Sequence, residues 1–146
     1  MITVITGPPC AGKSTYAANN ALPGDLIIDF DLIAQALGST ERHDHQSWIR
    51  DVAAAAWGSA VRQALKHHQR HSAWIIDSRP SREREADYKH ARAKFVNLTA
   101  DEPELHRRAN QDGRTPAAHQ SITRWLGNRP AADSSPTSRI IWGSGA

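Results

Sequence analysis

One short stretch near the start of the chain restricts its architecture more than any other. Gly7-Pro8-Pro9-Cys10-Ala11-Gly12-Lys13-Ser14-Thr15 carries two glycines, a lysine and a hydroxyl residue at the spacing of a phosphate-binding loop. From the chain's own content of Gly, Lys, Ser and Thr, about 0.002 such matches are expected by chance. The stretch follows the strand-like run Ile2, Val4, Ile5 and precedes a helical pattern from Lys13 toward Asn20, which Pro23-Gly24 ends. Strand, glycine loop and helix are the context such a loop needs. Glycine lets backbone N–H groups approach an anion with no Cβ between them, and the helix N-terminus adds unpaired donors. Gly7, Ala11, Gly12, Lys13, Ser14 and Thr15 are therefore the expected nucleotide-binding residues. Lys13 brings charge to the β- and γ-phosphates, Ser14 offers a hydroxyl to Mg²⁺, and Thr15 reaches a phosphate. Cys10 is read as a small loop residue and not a nucleophile, since no partner base is assignable to it.

The rest of the chain alternates strands with helices. Leu26-Ile27-Ile28 and Ala73-Trp74-Ile75-Ile76 are short apolar runs suited to buried parallel strands, and each ends on an acid, Asp29 and Asp77. Lys94 to Leu98 and Arg139 to Trp142 read as two further strands. Between them, Leu32–Leu37, Gln46–Gln69, Ser81–Arg92, a segment starting at Asp101 and a short one through Ile122 read as helices. The longest should bury Ile49, Val52, Ala56, Ala60 and Ala64, with Trp57, Val61 and Leu65 widening the stripe, and Trp48, Trp57 and Trp125 are read as core or cleft-lining. This order predicts an α/β three-layer sandwich with a mostly parallel five-stranded sheet, its ligands gathered at the carboxyl ends of the strands. The 146 residues fit one domain. A short lid is expected near 108–118, around Gly113, and a mobile Pro- and Ser-rich connection near 128–138.

The strand-end acids point to chemistry. A hydroxyl that receives a phosphoryl group must release a proton, and a carboxylate near the γ-phosphate accepts it. Asp31 is the expected base, with capping of the following helix as its other reading, and Asp29, two residues away, faces the acceptor. Asp77 is expected to share the Mg²⁺ with Ser14, or else to bond to Ser78 or a backbone turn. Arg108 and Arg114 suit the lid, Arg108 on the nucleotide and Arg114 on the transition state, with Arg124 and Arg129 as further lid candidates. Arg79 and Arg82, with Arg84 beside them, suit an anionic acceptor. The histidines lack metal-ligand spacing and cysteine partners, so no zinc is expected, and polar helix ends account for them.

Charge agrees with this division. The net charge is +3. Residues 1–78 hold 6 Lys and Arg against 7 Asp and Glu, for −1, whereas residues 79–146 hold 12 against 8, for +4. Clustered arginines attract phosphates. No apolar run approaches the roughly 18 residues of a membrane span, the N-terminus lacks the pattern of a secretory signal, and one cysteine permits no internal disulfide. A cytoplasmic protein is expected.

The glycine loop, Asp29-Phe30-Asp31, Ile75-Ile76-Asp77-Ser78 and the Arg108 to Arg114 segment together resemble the small P-loop kinases of the nucleotide-kinase superfamily, over residues 2–126. Within it the acid pair after the second strand is most similar to polynucleotide 5′-kinases and zeta toxin-like kinases. The resemblance implies ATP, or another nucleoside triphosphate, with Mg²⁺, an Asp at position 31 that activates the acceptor hydroxyl, and a nucleic-acid or nucleotide acceptor. A nucleoside monophosphate or small-molecule kinase is the alternative, and a nucleotide-binding switch or ATPase subunit is an alternative of another class.

Overall fold

In a strand successive side chains point to opposite faces, so Val4 and Ile5 serve different cores. The computed structural model describes residues 1–128 and the strand Ser138–Ile141. Along the chain these form β1 (Ile2–Thr6), α1 (Lys13–Asn20), β2 (Leu26–Ile28), α2 (Phe30–Ala36), α3 (Ser47–Lys66), β3 (Ala73–Ile76), α4 (Arg82–His90), β4 (Lys94–Thr99), α5 (Glu102–Gln111), α6 (Pro116–Gly127) and β5 (Ser138–Ile141). The sheet order is β2-β3-β1-β4-β5 and every pairing is parallel. Four strands come from the continuous segment, and β5 lies along β4 from Val96↔Ser138 to Thr99↔Ile141.

Such a sheet needs cover on both faces. On one, Ile2, Val4, Ile28, Ala73 and Ile75 pack against Val61 and Ala64 of α3 and Tyr88 of α4. On the other, Ile5, Val96 and Leu98 meet Ala17 of α1, Leu105 and Ala109 of α5, and Ile122 of α6. Helices on both faces of a parallel sheet make the layered α/β arrangement. Because the strands share one direction, Thr6, Ile28 and Ile76 all open onto the same edge, where ligands of such folds bind.

Two details depart from the periodicity. On α3 the buried positions are Ala53, Val61 and Ala64, while Val52 is 56% and Trp48 64% exposed. The buried positions of α3 that reach the sheet core are Val61 and Ala64 in its second half, and α3 also packs on α2. Trp48 is therefore neither core nor cleft-lining. The expected lid at 108–118 is the last turn of α5, a four-residue connection from Asp112 to Thr115, and the first turn of α6. The connection expected over 128–138 lies, apart from its ends, outside the described residues, as do Arg129 and Trp142. Among the described residues no helix is long and apolar enough to cross a membrane.

Candidate active site

The glycine loop leaves β1 with Gly7 N donating to the Ser78 carbonyl at 3.2 Å, which ties it to the end of β3. Gly7 has φ of 137°, and a Cβ there would collide with the Leu98 carbonyl, so no other residue fits. Gly12, at φ 87°, turns the chain into α1. Pro9, Cys10, Gly12, Lys13, Ser14 and Thr15 line a cavity of about 730 Å³ above the loop. Gly7 and Ala11 do not line it; Ala11 is buried in the second core, and its N–H goes to the Pro8 carbonyl at 3.3 Å. They support the loop from below. The Lys13 ammonium donates to the carbonyls of Pro8, at 2.6 Å, and Gly7, at 3.0 Å. Burial, reinforced by the neighbouring positive charge of Arg114, lowers its pKa to about 8. An anion entering here would supply the countercharge that this buried ammonium lacks. Burial pushes the Cys10 thiol up, so it is no reactive thiolate.

The acids after β2 form a chain of hydrogen bonds. Ser14 Oγ donates to Asp29 Oδ2 at 2.6 Å, and Asp29 Oδ1 accepts from Asp31 N at 3.0 Å. Asp29, only 4% exposed, is thus the N-cap of α2, and its position beside Ser14 differs from the acceptor-side position expected for it. Asp31 does not cap. Its Oδ2 accepts from His43 Nδ1 at 2.7 Å and its Oδ1 from His45 Nε2 at 2.8 Å, and His45 Nδ1 meets Ser39 Oγ at 2.7 Å. Burial works to raise the Asp31 pKa, but the two imidazole hydrogen bonds outweigh it and hold the carboxyl below its usual value. The α2–α3 connection therefore carries site residues, and His43 and His45 are not the polar helix ends the sequence suggested.

Asp77 is turned away from Ser14. The alternation of β3 sends it to the face of Tyr88, whose hydroxyl donates to Oδ2 at 2.9 Å; Arg84 Nη1 lies 3.4 Å from the same oxygen. Burial and the Asp77 carboxylate push the Tyr88 phenol up, so it stays a donor. Arg84 also stacks over Trp57 at 4.6 Å. Arg79 does not line the cavity; it donates to the Trp125 carbonyl at 2.9 Å and covers its ring at 5.3 Å. Arg82 sits exposed on the first turn of α4, also outside the cavity lining. The strand-end turn sends these three residues to structural or solvent positions that linear proximity to Asp77 could not reveal.

Positive charge reaches the cavity from elsewhere. Arg42, Arg107, Arg108 and Arg114 line it. Glu104 accepts from Arg107 Nε and Nη2 and from Arg108 Nε, all at 2.7 Å, and these bonds hold its pKa at about 2. Arg108 Nη1 also lies 3.4 Å from the Cys10 carbonyl. Arg114 Nε is buried with no partner among the described residues, an unspent donor beside the loop. Arg107 and Arg42 were not legible as site residues: one is half of an Arg pair on α5, the other lies between two helices with no pattern around it.

Mg²⁺ takes oxygen ligands, one or two carboxylates among them, and keeps several waters. The Ser14 hydroxyl and the adjacent Asp29 carboxylate are oxygens of that kind, so the donors fit, with Asp29 in the position expected of Asp77.

Residues 3–128 match the AAA domain family. The chain belongs to that family. No curated protein matches this AAA domain in sequence. Its fold is that of solved kinases: a gluconokinase from Sinorhizobium meliloti 1021 is 17% identical with a TM-score of 0.57, covering 96% of this chain and 81% of that one. A sugar kinase from Janibacter sp. HTCC2649 is 18% identical with a TM-score of 0.53, covering 96% and 83%. At such identity the likeness speaks for the P-loop kinase fold of this AAA domain.

Proposed function

We propose that this chain, an ATP-dependent phosphotransferase, moves the γ-phosphoryl group of ATP onto a hydroxyl of a small acceptor molecule. The observation that carries this reading is the run from Ser14 through Asp29 to Asp31, which joins the phosphate loop to an ionised carboxylate on the wall of the same cavity. Lys13 and Arg114 neutralise charge that spreads over the phosphoryl oxygens in the transition state, and Arg108 holds the nucleotide phosphates. Ser14 and Asp29, adjacent oxygen donors at the loop, would hold Mg²⁺, which when bound would supply positive charge against the phosphates. Asp31 lies on the acceptor side with Arg42 and His43. A cavity of about 730 Å³ is of a size that suits small molecules. Arg79 and Arg82, the cations expected to hold an anionic acceptor, lie outside the cavity lining, which supports an acceptor small enough to be held within the cavity itself.

γ-Labelled ATP offered with sugars and other small alcohols, nucleosides, nucleoside monophosphates and 5′-hydroxyl oligonucleotides tests the reading. Label is expected in a small alcohol, and Asp31→Asn should lower that transfer at least about 100-fold with ATP affinity nearly intact. Label in the oligonucleotide alone would replace the acceptor class, and ATP hydrolysis with no labelled acceptor would replace the kinase reading by that of a nucleotide-driven switch.

A further inference from the structure

The Asp31 carboxylate has both oxygens engaged by imidazole N–H donors. The two histidines are not equivalent. His45 is fully buried, with Nε2 on Asp31 and Nδ1 on Ser39, so both ring nitrogens are committed inside the protein. His43 is 23% exposed and lines the cavity; its Nδ1 is bound to Asp31, and its Nε2 has no partner among the described residues. When a carboxylate accepts from one ring nitrogen it fixes the tautomer that leaves a lone pair on the other, and it stabilises the imidazolium formed when that lone pair takes a proton.

Resting on the kinase reading above, we infer that His43 Nε2 is the atom that takes the proton from the acceptor hydroxyl, with Asp31 as its orienting partner and His45 as the brace behind Asp31. In the step, the acceptor oxygen forms a bond to the γ-phosphorus of ATP while the bond from that phosphorus to the β–γ bridging oxygen breaks. The electron pair leaves with ADP. The hydroxyl proton passes to His43 Nε2, and the resulting imidazolium, still donating from Nδ1 to Asp31, later releases it to water through its exposed edge. Asp31 then carries no proton at any stage and acts by holding the ring, as His45 and Ser39 act by holding Asp31.

The test separates a base from a peg. His43→Ala removes both nitrogens; His43→Asn keeps an amide donor at the position of Nδ1 for Asp31 and removes only the base. Both are expected to lower kcat about 10²- to 10⁴-fold while the KM for ATP changes less than about twofold and far-UV circular dichroism is unchanged. Added imidazole should restore transfer to His43→Ala, and should fail to do so in His43→Ala combined with Asp31→Asn, where nothing orients the added ring. His43→Asn transferring at the wild-type rate overturns the inference and leaves His43 a positioning residue for Asp31; so does a His43→Ala enzyme that imidazole does not accelerate. Failure of the kinase reading looks different, because the wild-type protein itself then labels no acceptor.

Discussion

At the scale of single residues, the site depends on a few side chains whose partners decide their roles. Asp77 shows how far a partner can move a role: an acid after an apolar strand suits a metal shell, yet Tyr88 and Arg84 engage it on the opposite face. Tyr88→Phe should therefore destabilise the protein by about 1–3 kcal/mol by leaving a buried carboxylate oxygen short of a donor, while ATP affinity stays within about twofold; urea unfolding and nucleotide titration measure the two effects. Glu104 makes a pH prediction. Its folded pKa of about 2 is below the ordinary 4.5, so its stabilising effect is present above pH 4.5 and is lost as pH falls toward 2. Glu104→Gln should flatten the acid side of the stability profile over that window and release Arg107 and Arg108, and carboxyl NMR titration should find the Glu104 midpoint at the low end of it.

At the scale of elements, caps and turns bring distant residues together. α2 begins where it does because Asp29 caps it, and the same carboxylate meets Ser14 at the start of α1. The two functions are separable. Asp29→Asn keeps an acceptor oxygen for the Asp31 N–H and should cost less than about 0.5 kcal/mol, yet it removes the charge and should weaken Mg²⁺ dependence of transfer by at least about tenfold. Asp29→Ala loses cap and charge together and should destabilise the fold by about 1 kcal/mol as well. Thermal melts beside Mg²⁺ titrations of activity distinguish these outcomes. The α5–α6 hairpin plays a comparable part: Leu105, Ala109 and Ile122 anchor it to the sheet, and its outer positions carry Arg107, Arg108 and Arg114 to the cavity.

At the scale of the whole molecule, the loop, the acid pair and the arginines Arg107, Arg108 and Arg114 belong to three separate segments that only the shared strand direction brings to one edge. Ligand binding at that edge should stabilise all three. At 100 times its Kd, ATP with Mg²⁺ adds about 2.7 kcal/mol, which for a domain of this size raises Tm by about 5–10 °C. Lys13→Met should abolish that shift as well as turnover, and differential scanning fluorimetry with and without nucleotide reads it directly.

Local pattern was sufficient for the strand, glycine loop and first helix, since the loop's backbone geometry is demanded by its own glycines and by Lys13 and Ser14 beside them. It was sufficient also for the parallel α/β order, because fully buried strands and their crossover helices each leave a periodic trace. Tertiary structure alone decided what the strand-end acids face. A side chain at a strand end points to one face or the other according to register, and Asp77 and Asp29 went to different neighbours from those their spacing suggested. It decided, too, that His43 and His45 close on Asp31 from 12 and 14 residues away. No periodicity links such positions; the fold of the α2–α3 connection does, and it sets His43 in the wall of the site with His45 buried behind Asp31.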